Sequence, residues 1–443
     1  MQQQFLPNFT HGVLTDTHLI TAAGEFPVHT HEVLYFKELF AIAQSRRISQ
    51  LWILPGSKLS KKLTVKREGR KYKYTKFQKE FIKPRGIWEI DQAEIKYPLF
   101  NGRGMGTRAQ IIAPGIIPPA NALDVITDAR ELFNAVSDLQ RRLNVEITVP
   151  IITAKKLLYS TLRAPLAPCT SDMSPFIFNN ELDLMWQREL TDDERKLNYL
   201  HVYDKTHAYL SACNMKLGVG NYRSYLELNE TEYAPWLVGL FKVDISGARD
   251  CFIDDAQDVF MYSPMLTLAQ SRGARITVKD GYYWPTVKPW LEGYYKILQR
   301  EIKPDERGQP VNAFLKACFR QFFGWLGRLK GKDGDELFRP DVRCLIISQT
   351  KANIVRNVLS VFDSTGIMPA FISVDSVGYL SNSPDHSDAI PFPFTGVNPK
   401  TGAASPYRHN FTLEAAKAIP VLTSGASMTE IYKTLRAEAI GGA

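Results

Sequence analysis

Three absences in this 443-residue sequence each remove a class of protein. No stretch approaches the ~18 consecutive apolar residues of a membrane-crossing helix, so no transmembrane span is expected. Residues Met1 to Gly12 carry no basic segment followed by an apolar one, so no secretory signal is expected. Cysteine is scarce and odd in number: Cys169, Cys213, Cys251, Cys318 and Cys344 lie far apart, with no Cys-x-x-Cys pair. This argues against a disulfide framework or a structural zinc site. It points to a reducing, cytoplasmic setting with each thiol a small core filler. Internal repeats and low-complexity tracts are missing too.

What is present reads as a globular protein. Hydrophobic residues make up 44% and charged residues 23%, which is incompatible with global disorder. The length suggests about three domains at ~150 residues each and a core that needs no staples. The 54 Lys and Arg outnumber the 46 Asp and Glu, for a net charge of +8.

The excess is concentrated. From Arg46 to Arg85 there are 14 Lys and Arg against only Glu68 and Glu80, interleaved with Tyr72, Tyr74, Phe77 and Phe81. Basic residues with aromatics between them suit a surface that tracks phosphates and stacks bases. Lys61, Lys62, Lys66, Arg67, Arg70, Lys71 and Lys73 are the nucleic-acid candidates. The plainer reading is a solvated hairpin whose edges lysine guards.

Along the chain, Gly12–Ala22 reads as a strand, His31–Arg46 as a helix and Gln50–Leu54 as a buried strand. Lys62–Phe77 reads as a hairpin turning near Glu68-Gly69-Arg70. Asn121–Leu143 and Thr153–Leu162 follow as helices, and the prolines between Ala164 and Pro175 mark a boundary. Beyond it, Tyr199–Tyr203, Pro235–Asp244, Ala274–Val278 and Ala370–Leu380 read as strands, with a turn at Lys279-Asp280-Gly281. Trp290–Ile302 and Val311–Leu329 form a helical hairpin. Val342–Val361, Thr412–Ile419 and Ser427–Ala439 read as further helices. His29 and His31 have no third partner for zinc. His207 reads as structural, and the acids of Asp250–Asp258 as solvated charge.

Two aspartates interrupt apolar strands: Asp204 in His201-Val-Tyr-Asp-Lys-Thr-His-Ala-Tyr-Leu210, and Asp375 in Ile372-Ser-Val-Asp-Ser-Val-Gly-Tyr379. A carboxylate there is costly unless a cation or hydrogen bonds compensate it. On neighbouring strands the pair would suit Mg²⁺, which takes carboxylates, phosphates and water. Between them, Lys316, Arg320 and Phe323 share a helix face at i, i+4 and i+7, a spacing able to hold a triphosphate and pack on a base.

In this order the three segments resemble motifs A, B and C of family-B DNA polymerases, particularly the small protein-primed kind. Motif A, Asp-x-x-Ser-Leu-Tyr-Pro, is matched by Asp204-Lys-Thr-His-Ala-Tyr209-Leu. Motif B, Lys-x-x-x-Asn-Ser-x-Tyr-Gly, is matched by Lys316-Ala-Cys-Phe-Arg-Gln-Phe-Phe323-Gly324. Motif C, Tyr-x-Asp-Thr-Asp-Ser, is matched by Ile-Ser373-Val-Asp375-Ser376. The helix before motif C, with Lys351 and Asn353 near its start, resembles the family's as well.

The resemblance implies an α+β right-hand architecture: palm over 171–282 and 335–395, helical-hairpin fingers over 283–334 and a short thumb over 396–443. It implies two Mg²⁺ ions on Asp204, Asp375 and the Lys205 carbonyl, and dNTP substrates. Tyr209 would lie under the sugar and exclude a 2′-hydroxyl. Lys316 and Arg320 would contact the triphosphate, and Phe323 the nascent base pair. DNA is the implied partner, as primer-template or single strand, together with a terminal or primer protein. The enzyme would act as a nucleoid-associated monomer of a phage, plasmid or mobile element.

Departures from the pattern are specific. Ser373 replaces the first aspartate of motif C, Arg320 and Gln321 replace Asn-Ser, and Leu210 replaces proline. The order of strands and helix in residues 1–170 is similar to an RNase-H-like 3′–5′ exonuclease domain. Its first strand, Gly12-Val-Leu-Thr-Asp-Thr-His-Leu-Ile20, lacks that domain's Asp-x-Glu, which implies a degenerate fold without proofreading. Two alternatives stand beside the polymerase: a replication accessory that binds nucleic acid without catalysis, and a primase or terminal transferase.

Overall fold

The structure, a computed structural model, describes residues 10–28, 39, 42–43, 45–46, 48–63, 66–68, 71–73, 90–91, 94–97, 109–112, 122–148, 150–162, 165–224, 231–248, 252, 254–303, 308–327 and 338–441. The chain forms two compact units. One comprises Met1–Pro165 and Lys296–Trp325, the other Leu166–Tyr295 and Leu326–Ala443.

The first unit is built on a seven-stranded sheet. Strands β1 (His11–Leu14), β2 (His18–Thr21) and β3 (Gly24–Pro27) form an antiparallel meander. The span expected as a single strand, Gly12–Ala22, is therefore a hairpin. Its turn carries Asp16, whose carboxylate accepts the Lys58 amide at 2.9 Å and so caps helix α1 (Lys58–Leu63). Strand β4 (Gln50–Ile53) pairs parallel with β1 and is buried along its whole length, as an apolar run between turn signals predicts.

Lys62 falls within α1 and not in the hairpin. The hairpin itself is shorter than expected. Strand β5 (Lys66–Glu68) pairs antiparallel with β6 (Lys71–Lys73), in a register that sets Lys66 opposite Lys73 and Arg67 opposite Tyr72. The sheet closes with β7 (Ile90–Asp91), β8 (Glu94–Tyr97) and β9 (Ala109–Ile112), the last parallel to β4. Arg70, Tyr74, Phe77, Phe81, His29, His31 and most of the expected His31–Arg46 helix lie outside the described residues.

The helix expected over Asn121–Leu143 starts later: a 3-10 turn at Ala122–Val125 comes first, and helix α2 spans Ala129–Leu143. Asp128 caps its N-terminus by accepting the Glu131 amide at 2.7 Å, and Asn144 closes it at φ 52. Leu132, Val136, Leu139 and Leu143 form its buried stripe. Helix α3 (Pro150–Thr161) follows. Helices α6 (Glu292–Glu301) and α7 (Pro310–Leu326) form the expected hairpin, which buried Asn312 pins by bonding both the amide and the carbonyl of Lys303. The Lys155 ammonium of α3 lies 4.5 Å from the Trp325 ring of α7.

The second unit stacks two sheets around a central helix. The first is a five-stranded sheet in the order β10 (Met185–Gln187), β15 (Phe371–Ser373), β16 (Ser376–Ser381), β11 (Tyr199–Lys205), β17 (Tyr407–Glu414). The other is formed by β12 (Gly239–Ser246), β13 (Ala256–Tyr262) and β14 (Arg275–Tyr283), with short edge strands. Helix α8 (Pro340–Thr365) is apolar on two faces because it is buried on both. Ala352, Val355 and Leu359 pack with the β12–β14 sheet and helix α5 (Ser263–Ser271), while Ile354, Val358 and Val361 pack with Tyr203, Ile372 and Val377. Lys351 and Asn353 are therefore mid-helix residues, not near its start.

Three expected elements differ here. No turn occurs at Lys279-Asp280-Gly281: β14 runs through it, paired along β12 with a register shift at Lys242/Val243. Gly281 takes φ 156, and a Cβ there would meet the Leu240 carbonyl oxygen at 2.6 Å. Long-range pairing thus overrides local turn chemistry. The strand expected over Ala370–Leu380 is a hairpin. Helix was expected from Thr412, within the segment assigned to a thumb, but 407–414 is a strand along β11 and helices α9 (Ala415–Leu422) and α10 (Met428–Gly441) come after it. The α9–α10 pair covers the sheet face that carries Leu200, Val202 and Phe371.

Candidate active site

Strand alternation on β11 decides where its polar end points. Leu200 and Val202 face α9–α10, while Tyr203 faces α8. Asp204 follows with the first set and Lys205 with the second. Lys205 is buried, its ammonium 5.5 Å from the Tyr407 ring. Burial and then the nearby Arg356 charge lower it to about 8.

Asp204 lies between two neighbours in register, Ser376 of β16 and Arg408 of β17. Both reach its carboxylate: Ser376 Oγ donates to Oδ1 at 2.5 Å, and Arg408 Nη2 lies 3.3 Å from Oδ2. Ser376 also bonds the Tyr432 hydroxyl at 3.0 Å, and Asn410 donates to that hydroxyl at 3.0 Å. The carboxylate is thus held in one orientation, with 13% of its side chain exposed.

Asp375 occupies the tight turn between β15 and β16, where Ser373 pairs with Ser376. The preceding Val374 has φ 60. For a β-branched residue that is strained backbone, at a cost of about 1–3 kcal/mol, of the kind that clusters at functional sites. The Lys205 amide donates to the Asp375 carbonyl at 2.8 Å, which fastens the turn to the end of β11. Burial first, then the Asp204 charge, pushes Asp375 up to about 6; Arg408 draws it down and Asp183 adds to the rise.

The structure therefore brings Asp204, Lys205 and Asp375 together. Tyr209 joins them, five residues on in helix α4 (Ala208–Ala212), after His207 turns the chain at φ 53. Its hydroxyl donates to Asp183, and its titration is raised by burial, by that bond and by the charge of Asp375. Ser373 is buried, with its hydroxyl 3.7 Å from the Met185 sulfur. Of the acids expected as solvated charge, Asp258 lies 3.2 Å from Lys242 and Asp255 accepts the Ala248 amide, while Asp250 lies outside the described residues.

Lys316, Arg320 and Phe323 belong to the other compact unit, on the less buried side of α7, where Phe323 stacks on Phe319 at 5.9 Å. Lys61 is exposed within α1, and Lys66, Arg67, Lys71 and Lys73 occupy the β5–β6 pair. Sequence reasoning missed Asp183, Arg408 and Tyr432. Arg408 is 204 residues from its partner Asp204, and no local pattern signals the contact.

The resemblance implies a Mg²⁺ site at this donor set. Two crowded carboxylates, one with a raised pKa, are hard oxygen ligands in need of positive charge, and this suits Mg²⁺. Among the described residues no group of three or more His, Cys, Asp or Glu is arranged to hold a metal, so most remaining ligands would be backbone, water or substrate oxygens. No described helix is long and apolar enough to cross a membrane.

No protein-family profile matches the chain. No curated protein matches it in sequence. Solved structures do. Phi29 DNA polymerase complexed with primer-template DNA and incoming nucleotide substrates aligns over 91% of this chain and 85% of its own, at 9% identity and a TM-score of 0.51. The same polymerase complexed with primer-template DNA alone aligns over 91% and 84%, at 9% identity and a TM-score of 0.49. At such identity the likeness is one of fold, and the chain shares the fold of the DNA polymerase in the first complex.

Proposed function

We propose that this protein is a DNA-directed DNA polymerase of the family-B type that performs Mg²⁺-dependent, template-directed nucleotidyl transfer. The observation that carries the reading is the pairing of Asp204 and Asp375, from strands far apart in sequence, with Asp375 raised to about 6 by burial and by its neighbour's charge. Asp204, Asp375 and the Lys205 carbonyl would hold the Mg²⁺ ions, which when bound would neutralise charge on the nucleotide phosphates. Ser376 and Arg408 orient Asp204. The Lys205–Asp375 backbone bond keeps the two acids at one level. Tyr209 is proposed to lie under the sugar, and Lys316, Arg320 and Phe323 are proposed as nucleotide contacts.

The segment 1–170 is proposed as a degenerate RNase-H-like exonuclease domain. Its strand order β3-β2-β1-β4-β9, antiparallel in the meander and parallel from β1 to β9, supports this reading. The absence of Asp-x-Glu from β1, and the use of Asp16 as a helix cap, support a domain without proofreading. DNA is the proposed partner, with the β5–β6 segment as a phosphate contact. A terminal or primer protein, a monomeric state, nucleoid association and a phage, plasmid or mobile-element role complete the proposal.

Primer extension tests it. The wild-type protein, with Mg²⁺, dNTPs and a primed template, should lengthen the primer with template-matched bases; folded protein that extends no primed template overturns the reading. Arg408 on Asp204 favours one alternative, a polymerase-fold accessory that binds nucleic acid without catalysis. Such a protein would show no Mg²⁺-dependent dNTP binding. A primase or terminal transferase would instead give products without a primer or without template sequence.

A further inference from the structure

We propose that Asp183 is a positioning residue for Tyr209: it accepts the phenol's hydrogen bond beside Asp375 and so sets how strictly the site rejects a ribose 2′-hydroxyl. The inference rests on the polymerase reading above, since a sugar gate acts only where a nucleotide binds.

The placement of Asp183 is written into the backbone. Strand β10 pairs antiparallel with β15 through Met185–Ser373, Trp186–Ile372 and Gln187–Phe371. The ladder continues past the Met185–Ser373 pair, because the Val374 amide donates to the Leu184 carbonyl at 2.7 Å. Two residues beyond Met185, the register sets Asp183 across from Asp375. The strand thus delivers a carboxylate to the level of the strained turn, although it contributes no motif residue.

That carboxylate is engaged. The Tyr209 hydroxyl donates to Asp183 Oδ1. Tyr209 reaches it from α4, a short helix packed under α8, where Thr350 Oγ1 lies 3.5 Å from the Ala208 carbonyl. The ring is therefore anchored at its backbone end by α4 and at its hydroxyl end by Asp183. A phenol held at both ends keeps one orientation; a phenol held only at Cα regains rotational freedom that a bulkier sugar could exploit.

Single-nucleotide incorporation with matched dNTP and rNTP tests the proposal, read as the ratio of the two kcat/KM values. Asp183→Ala should lower selectivity for the deoxy sugar by roughly tenfold, the scale of one positioning contact. Tyr209→Phe should lower it similarly, and the double variant should lose no more than either single one. Asp183→Asn, whose amide oxygen can still accept the bond, should keep wild-type selectivity. Circular dichroism checks that each variant folds; if Asp183→Ala does not, an unchanged ratio in Tyr209→Phe overturns the proposal by itself. An equal loss with both sugars and an unchanged ratio also overturns it, since that marks a merely structural role. Failure of the wild-type enzyme to extend any primer overturns the polymerase reading and this inference with it, whereas extension with an unmoved ratio overturns this inference alone.

Discussion

The Lys205 amide and the Asp375 carbonyl share a 2.8 Å hydrogen bond, and through it the end of β11 is tied to the turn of the β15–β16 hairpin. Residues 170 positions apart in the chain are thereby set at one height, and Asp204 and Asp375 become neighbours whose charges repel. Much of the expected behaviour of the protein follows from that repulsion.

The first expectation concerns Asp375 and pH. Its pKa rises from 3.8 to about 6 on folding, so the folded state binds the proton more tightly than the unfolded chain. Stability is therefore highest below pH 4 as far as this group is concerned, and falls by about 3 kcal/mol as pH rises through 6. Without metal, Asp375→Asn should melt higher than wild type at pH 7.5, with the gap closing at pH 4. Excess Mg²⁺ should raise the wild-type melting temperature and not that of the variant. The same variant should lose primer extension and still bind DNA. A variant that melts no higher than wild type at pH 7.5 in EDTA would contradict the assignment.

A second expectation concerns Arg408. Its guanidinium lowers the pKa of Asp375, so Arg408→Ala should raise that pKa and move the acid limb of the extension rate to higher pH. The side chain is 44% exposed, so solvent screening should hold the shift to a fraction of a unit. Arg408→Lys should restore much of the original profile. A limb that stays put, or moves the other way, would detach Arg408 from the site's electrostatics.

The buried pair Arg339–Asp341 offers a test of stability away from the chemistry. Asp341 is fully buried and takes two bonds from Arg339, at 2.9 and 2.6 Å, while the guanidinium also donates to the Gly218 carbonyl at 2.9 Å. Asp341→Ala should cost about 3–5 kcal/mol in urea unfolding, because it strands a buried charge. Arg339→Met with Asp341→Leu should recover most of that loss. A single substitution no worse than the double would mean that water reaches the guanidinium.

The basic segment makes a salt prediction. If Lys61, Lys62, Lys66 and Lys71 contact phosphates, their joint neutralisation should flatten the slope of log K against log salt by about 3–4 units on duplex DNA. Fluorescence anisotropy between low and moderate salt reads this directly. An unaltered slope would return the segment to solvated surface charge.

Some of this molecule is written locally. The cap Asp128, the αL residue Asn144 and the apolar stripe between them specify α2 without help. The prolines and the polar loop around Lys303 mark the helical hairpin, and the buried run of β4 shows as a strand. The candidate acids were visible for the same reason: a carboxylate at an apolar strand end is conspicuous, because burial there is costly.

What lay beyond local reading depends on pairing between distant segments. Residues 407–414 suit a strand only because β11 offers them an open edge. Gly281 sits inside a strand only because β12 holds both sides of it. The turn at Val374-Asp375 sets a β-branched residue at φ 60, where glycine is the usual choice, and forms because β10, β16 and Lys205 hold its backbone in that strained shape. The sequence by itself determined which residues could bear charge at a strand end, since burial cost and periodicity are local properties. Only the tertiary structure decided which groups meet: Asp204 with Arg408, and Asp183 with Tyr209. Sheet register sets that choice, and the free energy behind register is shared over whole strands instead of residing in any one motif.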